Sequence, residues 1–383
     1  MTAQTSPPAA KDPAAKNAAP KERVPFWDNA RFLCVTLVVI GHGIQRLTSD
    51  SDNALIVYLF IYAFHMPAFA IISGYFSKPG PPNARQMTKV ITDIIVPYVI
   101  MESIWTLVQF VVEGKKEFNP TQPSWTLWFL LALGIFRLIL PYLALLKFPL
   151  LIAVVASVGV GYFANVDSTF SLSRAIGILP FFVLGWKLNE WGLVDRWRRV
   201  VANGWWVRVV AVAILAAWLV AVVSNIGFWR DIDLRYWFFY DDSYRGLGED
   251  QWWAGAVRLG LIALAVLLTG AFFALIPRRE TWITDFGTST MYVYLLHSFI
   301  LYPLRETGIL KDEHSSAVWL TSMILACIAI SIALSGPLVH RIFRPIIEPK
   351  PRWLFVSPAA FEKKNGGPMR HTRTDPTGSR RRR

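Results

Sequence analysis

Apolar residues gather in ten runs along the chain, at about 29–47, 54–76, 90–112, 125–143, 149–164, 173–189, 207–226, 254–276, 283–303 and 316–338. Each approaches the roughly 20 residues that cross a bilayer as an α-helix. The ~10-residue alternating segments of a membrane β-barrel are not seen. The pattern predicts an all-α polytopic membrane protein with ten transmembrane helices. The fifth run is short and the sixth contains Pro180. Both are tolerable where neighbouring helices cover the backbone. No internal repeat is visible.

Polar positions inside these runs carry the next layer of information. Ionisable groups in a span are costly and face the bundle interior or a wet cavity. His42, His65, Glu102 and His297 lie 13, 11, 12 and 14 residues from the inner ends of four different runs. At 1.5 Å per residue that is one layer, roughly 16–21 Å up. Helical spacing extends them into stripes: Tyr58, Tyr62, His65, Phe69 and Ser73; Tyr98, Glu102, Thr106 and Gln109; Thr290, Tyr294 and His297. One reading is hydrogen bonding that fastens helices together. The other is a buried reactive chamber.

Charge sets the expected orientation. With the N-terminus in the cytoplasm, the inner segments hold 27 Lys and Arg against 7 in the outer loops. Without the two termini the inner loops still lead, 11 to 7, over shorter lengths. Ten spans return the C-terminus to the cytoplasm. The outer loop 227–253 is acidic, with Asp231, Asp233, Asp241, Asp242, Glu249 and Asp250 against three arginines. Residues 1–25, rich in Ala, Pro and Lys, are expected to be disordered and have no signal-peptide pattern. Residues 26–340 form the expected membrane domain, and 341–383 a basic tail ending in "GSRRRR". The tail suits anionic lipid, and nucleic acid is not an expected partner. Composition agrees: 54% of residues are hydrophobic, only 17% are charged, and the mean hydropathy is positive. Cys34 and Cys327 read as small buried hydrophobes.

The run "FWDNARFLCVTLVVIGHGIQRL" resembles the opening of the acyltransferase-3 family of membrane O-acetyltransferases, in particular its fucose 4-O-acetylase-like branch. Asp28, Arg31 and His42 stand where that family has an acid, a base and a "VVxGH" histidine. "IYAFHMPAFAIISGYFSK" is similar to the family's second helix, with His65, Pro67, Ser73 and Gly74 in place. "LWFLLALGIFRLILP", "RAIGILPFFVLGW" and "STMYVYLLHSFI" extend the resemblance over about residues 26–340. One departure stands out in "ARQMTKVITDIIVPY": Arg85 and Lys89 precede the proline, but Asp93 replaces a basic residue.

The resemblance implies a ten-helix bundle in the cell (plasma) membrane. It also implies transfer of an acyl group, usually acetyl, from cytoplasmic acetyl-CoA to a hydroxyl of an extracytoplasmic glycan or glycolipid, with His42 catalytic. Physical chemistry agrees. A sugar hydroxyl needs a base within hydrogen-bond reach, and a buried neutral imidazole can accept its proton. Glu102 or another polar neighbour would orient His42. Asp28, roughly 21 Å away along the same helix, is too far. His65, Tyr62 and Tyr294 are candidates for the oxyanion. Arg31, Arg85, Lys89 and Arg137 are the candidate phosphate contacts of the donor. The positive-inside bias also accounts for many such residues. Trp128, Arg174 and His297 are candidate acceptor contacts, although an interfacial aromatic belt explains part of the chain's 17 tryptophans.

No metal site is expected: there is no HExxH, and neither cysteine lies near a histidine pair in sequence. A transporter or flippase for a lipid-linked sugar is the rival class, because midplane polar residues also serve permeation. The sequence does not specify oligomeric state.

Overall fold

The computed structural model describes residues 23–80, 84–114, 118–249, 251–306, 317–350 and 354–356, and among them all regular structure is helical. The helices are α1 (Pro25–Ile44), α2 (Asp52–Tyr62), α3 (His65–Tyr75), α4 (Ala84–Val90), α5 (Val96–Glu113), α6 (Trp128–Leu143), α7 (Pro149–Val160) and α8 (Leu172–Glu190). They continue with α9 (Leu193–Asn203), α10 (Trp205–Ser224), α11 (Ile226–Asp231), α12 (Leu234–Trp237), α13 (Ala254–Leu275), α14 (Thr290–Glu306), α15 (Ala317–Leu334) and α16 (Pro337–Ile347). Residues 1–22 and 357–383, most of the two expected terminal segments, lie outside the described residues.

Seven stretches are long and apolar enough to cross a membrane: Pro25–Thr48, Asp52–Tyr75, Gln86–Glu113, Thr169–Glu190, Trp205–Ser224, Ala254–Leu275 and Ala317–Leu334. The other three expected spans correspond to shorter helices. α6 has 16 residues, α7 has 12, and α14 has 17 because residues 285–288 form a separate 3₁₀ turn before it. Large apolar side chains on α5, α7, α10 and α13 face outward. A membrane protein exposes such a surface to lipid.

Helix α1 is the axis of the bundle and packs against α2, α3, α14 and α15. Pro25 opens it where a backbone N–H would have no partner. Asn29, fully buried, then fixes its start. Its amide donates to the carbonyls of Pro277 (2.9 Å) and Arg279 (3.2 Å), and its Oδ1 accepts from the hydroxyls of Thr281 (3.2 Å) and Thr284 (2.8 Å). We call the end of the bundle where α1 begins the proximal face and the end where it finishes the distal face.

Two irregularities shape the interior, and proline accounts for both. The second span breaks at Ala63–Phe64, three residues before Pro67, which has no N–H with which to continue the ladder. The third carries a π turn at Ile91–Ile95, where the Val96 N–H reaches back to the Ile91 carbonyl just before Pro97. α3 and α8 meet through glycine. A Cβ on Gly74 would strike the Phe182 carbonyl, and one on Gly185 the Ile71 carbonyl. Small residues on both sides let the backbones approach this closely. Cys34 and Cys327 are buried and unpaired.

Candidate active site

The distal half of the bundle encloses a cavity of about 320 Å³ whose lining includes His42, His65, Tyr62, Trp128 and Arg174. Three covalently remote segments complete it: Gln122, Pro123, Trp125 and Thr126; Ser168 with Ser171; and Phe238, Phe239 and Asp241. The structure thus brings His42 and His65 together with Trp128 and Arg174. His42 comes from the last turn of α1, and His65 is the first residue of α3, exposed to the cavity by the break before it.

The backbone fixes the state of two of the histidines. The Nδ1 of His65 lies 3.0 Å from the Ile61 carbonyl, and that of His297 2.9 Å from the Val293 carbonyl. A carbonyl only accepts, so each Nδ1 carries the hydrogen and each neutral ring leaves Nε2 bare. Neutral His65 therefore has no N–H to give an oxyanion. His297 does not line the cavity. Its ring sits 5.5 Å from that of His42, and its buried Nε2 has no protein partner. The Nδ1 of His42 is likewise buried and unpartnered, and Trp125 packs edge-on against the ring at 5.3 Å.

Glu102 shares their depth but points elsewhere. Its carboxylate accepts from the Ser124 N–H (3.0 Å) and hydroxyl (2.6 Å). It therefore holds the turn that carries Trp125 and Thr126 and reaches His42 only through that turn. Arg174 pairs with Asp241 at 2.7 Å and lies over the Trp128 ring at 5.0 Å. Ser173 also donates to Asp241, at 2.8 Å. A charge-assisted pair beside an aromatic face suits a hydroxyl-rich ligand. Unpartnered polar atoms cluster here too: Gln45 Oε1, Thr126 Oγ1, Ser171 Oγ and Arg174 Nε, beside His42 Nδ1. Buried polar groups without partners are uncommon and mark a place where a ligand or water completes the bonding.

Gln45, Gln122, Ser168 and Ser171 were not singled out by sequence reasoning. No local pattern announces Gln122, Ser168 and Ser171, because they lie on turns whose position is set by distant packing, while Gln45 opens the 3₁₀ turn that continues α1. The backbone of Ser171 and of two residues near these positions is unusual: Trp125, Phe170 and Ser171 have positive φ (38°, 52° and 56°) without being glycine. Such conformations concentrate at functional sites, where the surrounding structure holds them.

Two larger cavities open at the proximal face. One, of about 780 Å³, is lined by Arg31, Lys78, Lys89 and Arg137 with Ser73 and Phe76. The other, of about 1200 Å³, shares Phe69, Lys89, Asp93, Leu133, Arg137 and Thr290 with it, and adds Tyr294, Glu348 and Lys350. Arg31 also pairs with Asp28 at 3.1 Å and lies over Phe76 at 4.4 Å. Three of the four candidate donor contacts therefore converge. The side chain of the fourth, Arg85, lies outside the described residues. Asp93, the departure noted above, lines both cavities and accepts from Thr92 at 2.7 Å. One acid among these cations leaves the shared wall cationic.

The chain matches the family described as an acyltransferase domain over residues 24–336. The nodulation protein NolL of Mesorhizobium japonicum is 27% identical over 210 residues, covering 50% of this chain and 54% of that protein. The chain thus spans about half the length of this curated relative. No solved structure matches it. The family match runs from the first turn of α1 to just past the end of α15 and takes in both the histidine cavity and most of the cationic lining, so the chain belongs to the acyltransferase-3 family.

Proposed function

We propose that this protein is a plasma-membrane O-acyltransferase that moves an acetyl group from cytoplasmic acetyl-CoA to a hydroxyl of an extracytoplasmic glycan or glycolipid. The observation that carries the reading is the placement of two kinds of cavity back to back. A small chamber of histidine, aromatic and paired-charge side chains opens from the distal side. Large cavities lined by Arg31, Lys78, Lys89 and Arg137 open from the proximal side. The positive-inside count supports a cytoplasmic proximal face, and the reading takes α6, α7 and α14 as the remaining three of ten spans, with both termini inside.

In this reading Arg31, Lys89 and Arg137 hold the donor's phosphates. His42 takes the proton from the acceptor hydroxyl as its oxygen bonds to the thioester carbonyl carbon. His297, whose buried ring lies 5.5 Å from that of His42, stabilises the imidazolium in the way the third member of a triad does. Arg174 is the charged donor nearest the developing oxyanion. The C–S bond then breaks, and the departing thiolate takes the proton back from His42. Trp128 and the Arg174–Asp241 pair meet the acceptor. Lipid surrounds the bundle, and no metal enters the mechanism.

The test is chemical. Purified protein in vesicles, given acetyl-CoA and an envelope-glycan extract, should release CoA thiol and form an alkali-labile acetyl ester. A flippase or permease, the second reading that opposed cavities support, would move a labelled glycolipid across the vesicle and produce neither thiol nor ester.

A further inference from the structure

The donor and acceptor cavities share a single wall. Among the described residues, Tyr294 alone lines both the 1200 Å³ cavity and the 320 Å³ chamber. It stands one turn beyond Thr290, on the floor of the cationic cavities, and one turn before His297, against His42. One face of α14 thus runs from the donor side to the reacting histidine. The Tyr294 hydroxyl donates to the Thr126 carbonyl. Its ring meets Phe129 edge-on at 6.2 Å, and Phe129 meets Phe69 at 5.8 Å. Thr126 belongs to the turn that Glu102 holds through Ser124. The septum is therefore a tyrosine latched to a fixed point, backed by two phenylalanines.

We propose, on the strength of the acyltransferase reading, that Tyr294 is the specificity-determining gate of this enzyme: its ring limits the length of the acyl chain that reaches His42 and keeps water from the thioester until an acceptor fills the chamber. The donor's phosphates sit on the proximal side and the base on the distal side, so the thioester must project past this ring. The room beyond it is about 320 Å³, shared between the acyl group and the acceptor. An acetyl group threads past the ring easily, whereas each added methylene must squeeze past Phe129 and Tyr294 to enter and then competes with the acceptor for the chamber. Glu102 acts as a positioning residue, because it fixes the turn to which the latch is fastened.

The wrong outcome that the gate prevents is hydrolysis. Water oxygen bonds to the carbonyl carbon, its proton goes to His42, the C–S bond breaks, and the thiolate takes the proton to leave as CoA thiol with the free acid. The experiment measures thiol release by the full-length protein in nanodiscs from acetyl-, butyryl- and hexanoyl-CoA, with no acceptor added. Wild type should be slow with acetyl-CoA and slower with the longer donors. Tyr294→Ala should raise acceptor-independent release and shift the hexanoyl-to-acetyl ratio upward, each by roughly tenfold or more. Tyr294→Phe, which keeps the ring and loses the latch, should raise release while keeping the preference for acetyl. A Tyr294→Ala protein that releases thiol with wild-type chain-length ratios overturns the proposal. If that variant folds but does not turn over, the affinity ratio of S-hexyl-CoA to S-ethyl-CoA takes the place of rates, and an unchanged ratio overturns it equally. A wild-type protein that neither binds S-ethyl-CoA nor releases thiol would instead sink the acyltransferase reading itself; failure of the gate alone leaves wild-type affinity intact.

Discussion

Helices α1 and α10 are each twenty residues long, and both are apolar enough to cross a bilayer, yet they occupy opposite environments. Fifteen residues of α1 are buried, against three of α10 (Ala211, Trp218 and Val222). The more apolar helix, α10, is the peripheral one. Hydropathy therefore says that a segment enters the membrane and says little about where in the bundle it sits. The polar content separates the two. α1 carries Asp28, Asn29, Arg31, Thr36 and His42 along its length, while α10 has only Arg208 and Ser224 near its ends. A polar side chain in hydrocarbon needs protein partners, so the helix with the most of them is drawn to the centre.

Substitutions along the two helices should separate them by size of effect. His42→Ala, in protein shown to insert normally, should lower acetyl transfer by roughly 100-fold or more, the scale of a lost general base. Near-normal turnover would remove α1 from the chemistry. Asn29→Ala leaves two carbonyls and two hydroxyls without their buried partner. It should cost about 3 kcal/mol of stability, read from detergent or thermal unfolding. An unchanged transition would mean that the start of α1 is held by packing alone. Arg31→Ala should weaken donor affinity by roughly tenfold with kcat nearly kept, because a charged contact to phosphate contributes to ground-state binding. The KM for acetyl-CoA checks it. Val212→Ala on α10, where the side chain faces outward, should change activity and stability by less than about 0.5 kcal/mol. A large loss there would point to a protein partner covering that face.

Much of this organisation is legible in the residues. Every one of the ten apolar runs overlaps helical structure, one of them broken into α2 and α3, and seven of the stretches qualify as spans on their own. The proximal cluster of Arg31, Lys89 and Arg137 and the distal cluster of His42, His65, Trp128 and Arg174 were both foreseeable from residue type and depth. What depth cannot give is direction around the helix axis. Glu102 lies in the same layer as His42, but its azimuth sends it to Ser124. His297 lies behind His42 rather than in the cavity lining, for the same reason. The chamber's remaining walls are turns. Ser171 and Trp125 adopt left-handed backbone without glycine, and contacts from elsewhere in the chain, such as Glu102 on Ser124, hold the turn that carries Trp125.

Residues 347–350 lie past the end of the family match at 336, yet Ile347, Glu348, Pro349 and Lys350 form a side of the larger proximal cavity. The cavity that the acyltransferase proposal assigns to the donor is thus partly built from sequence beyond the matched domain. If that assignment holds, exchanging this terminal stretch between relatives should alter donor preference while leaving the chamber around His42 unchanged, since none of these four residues lines it.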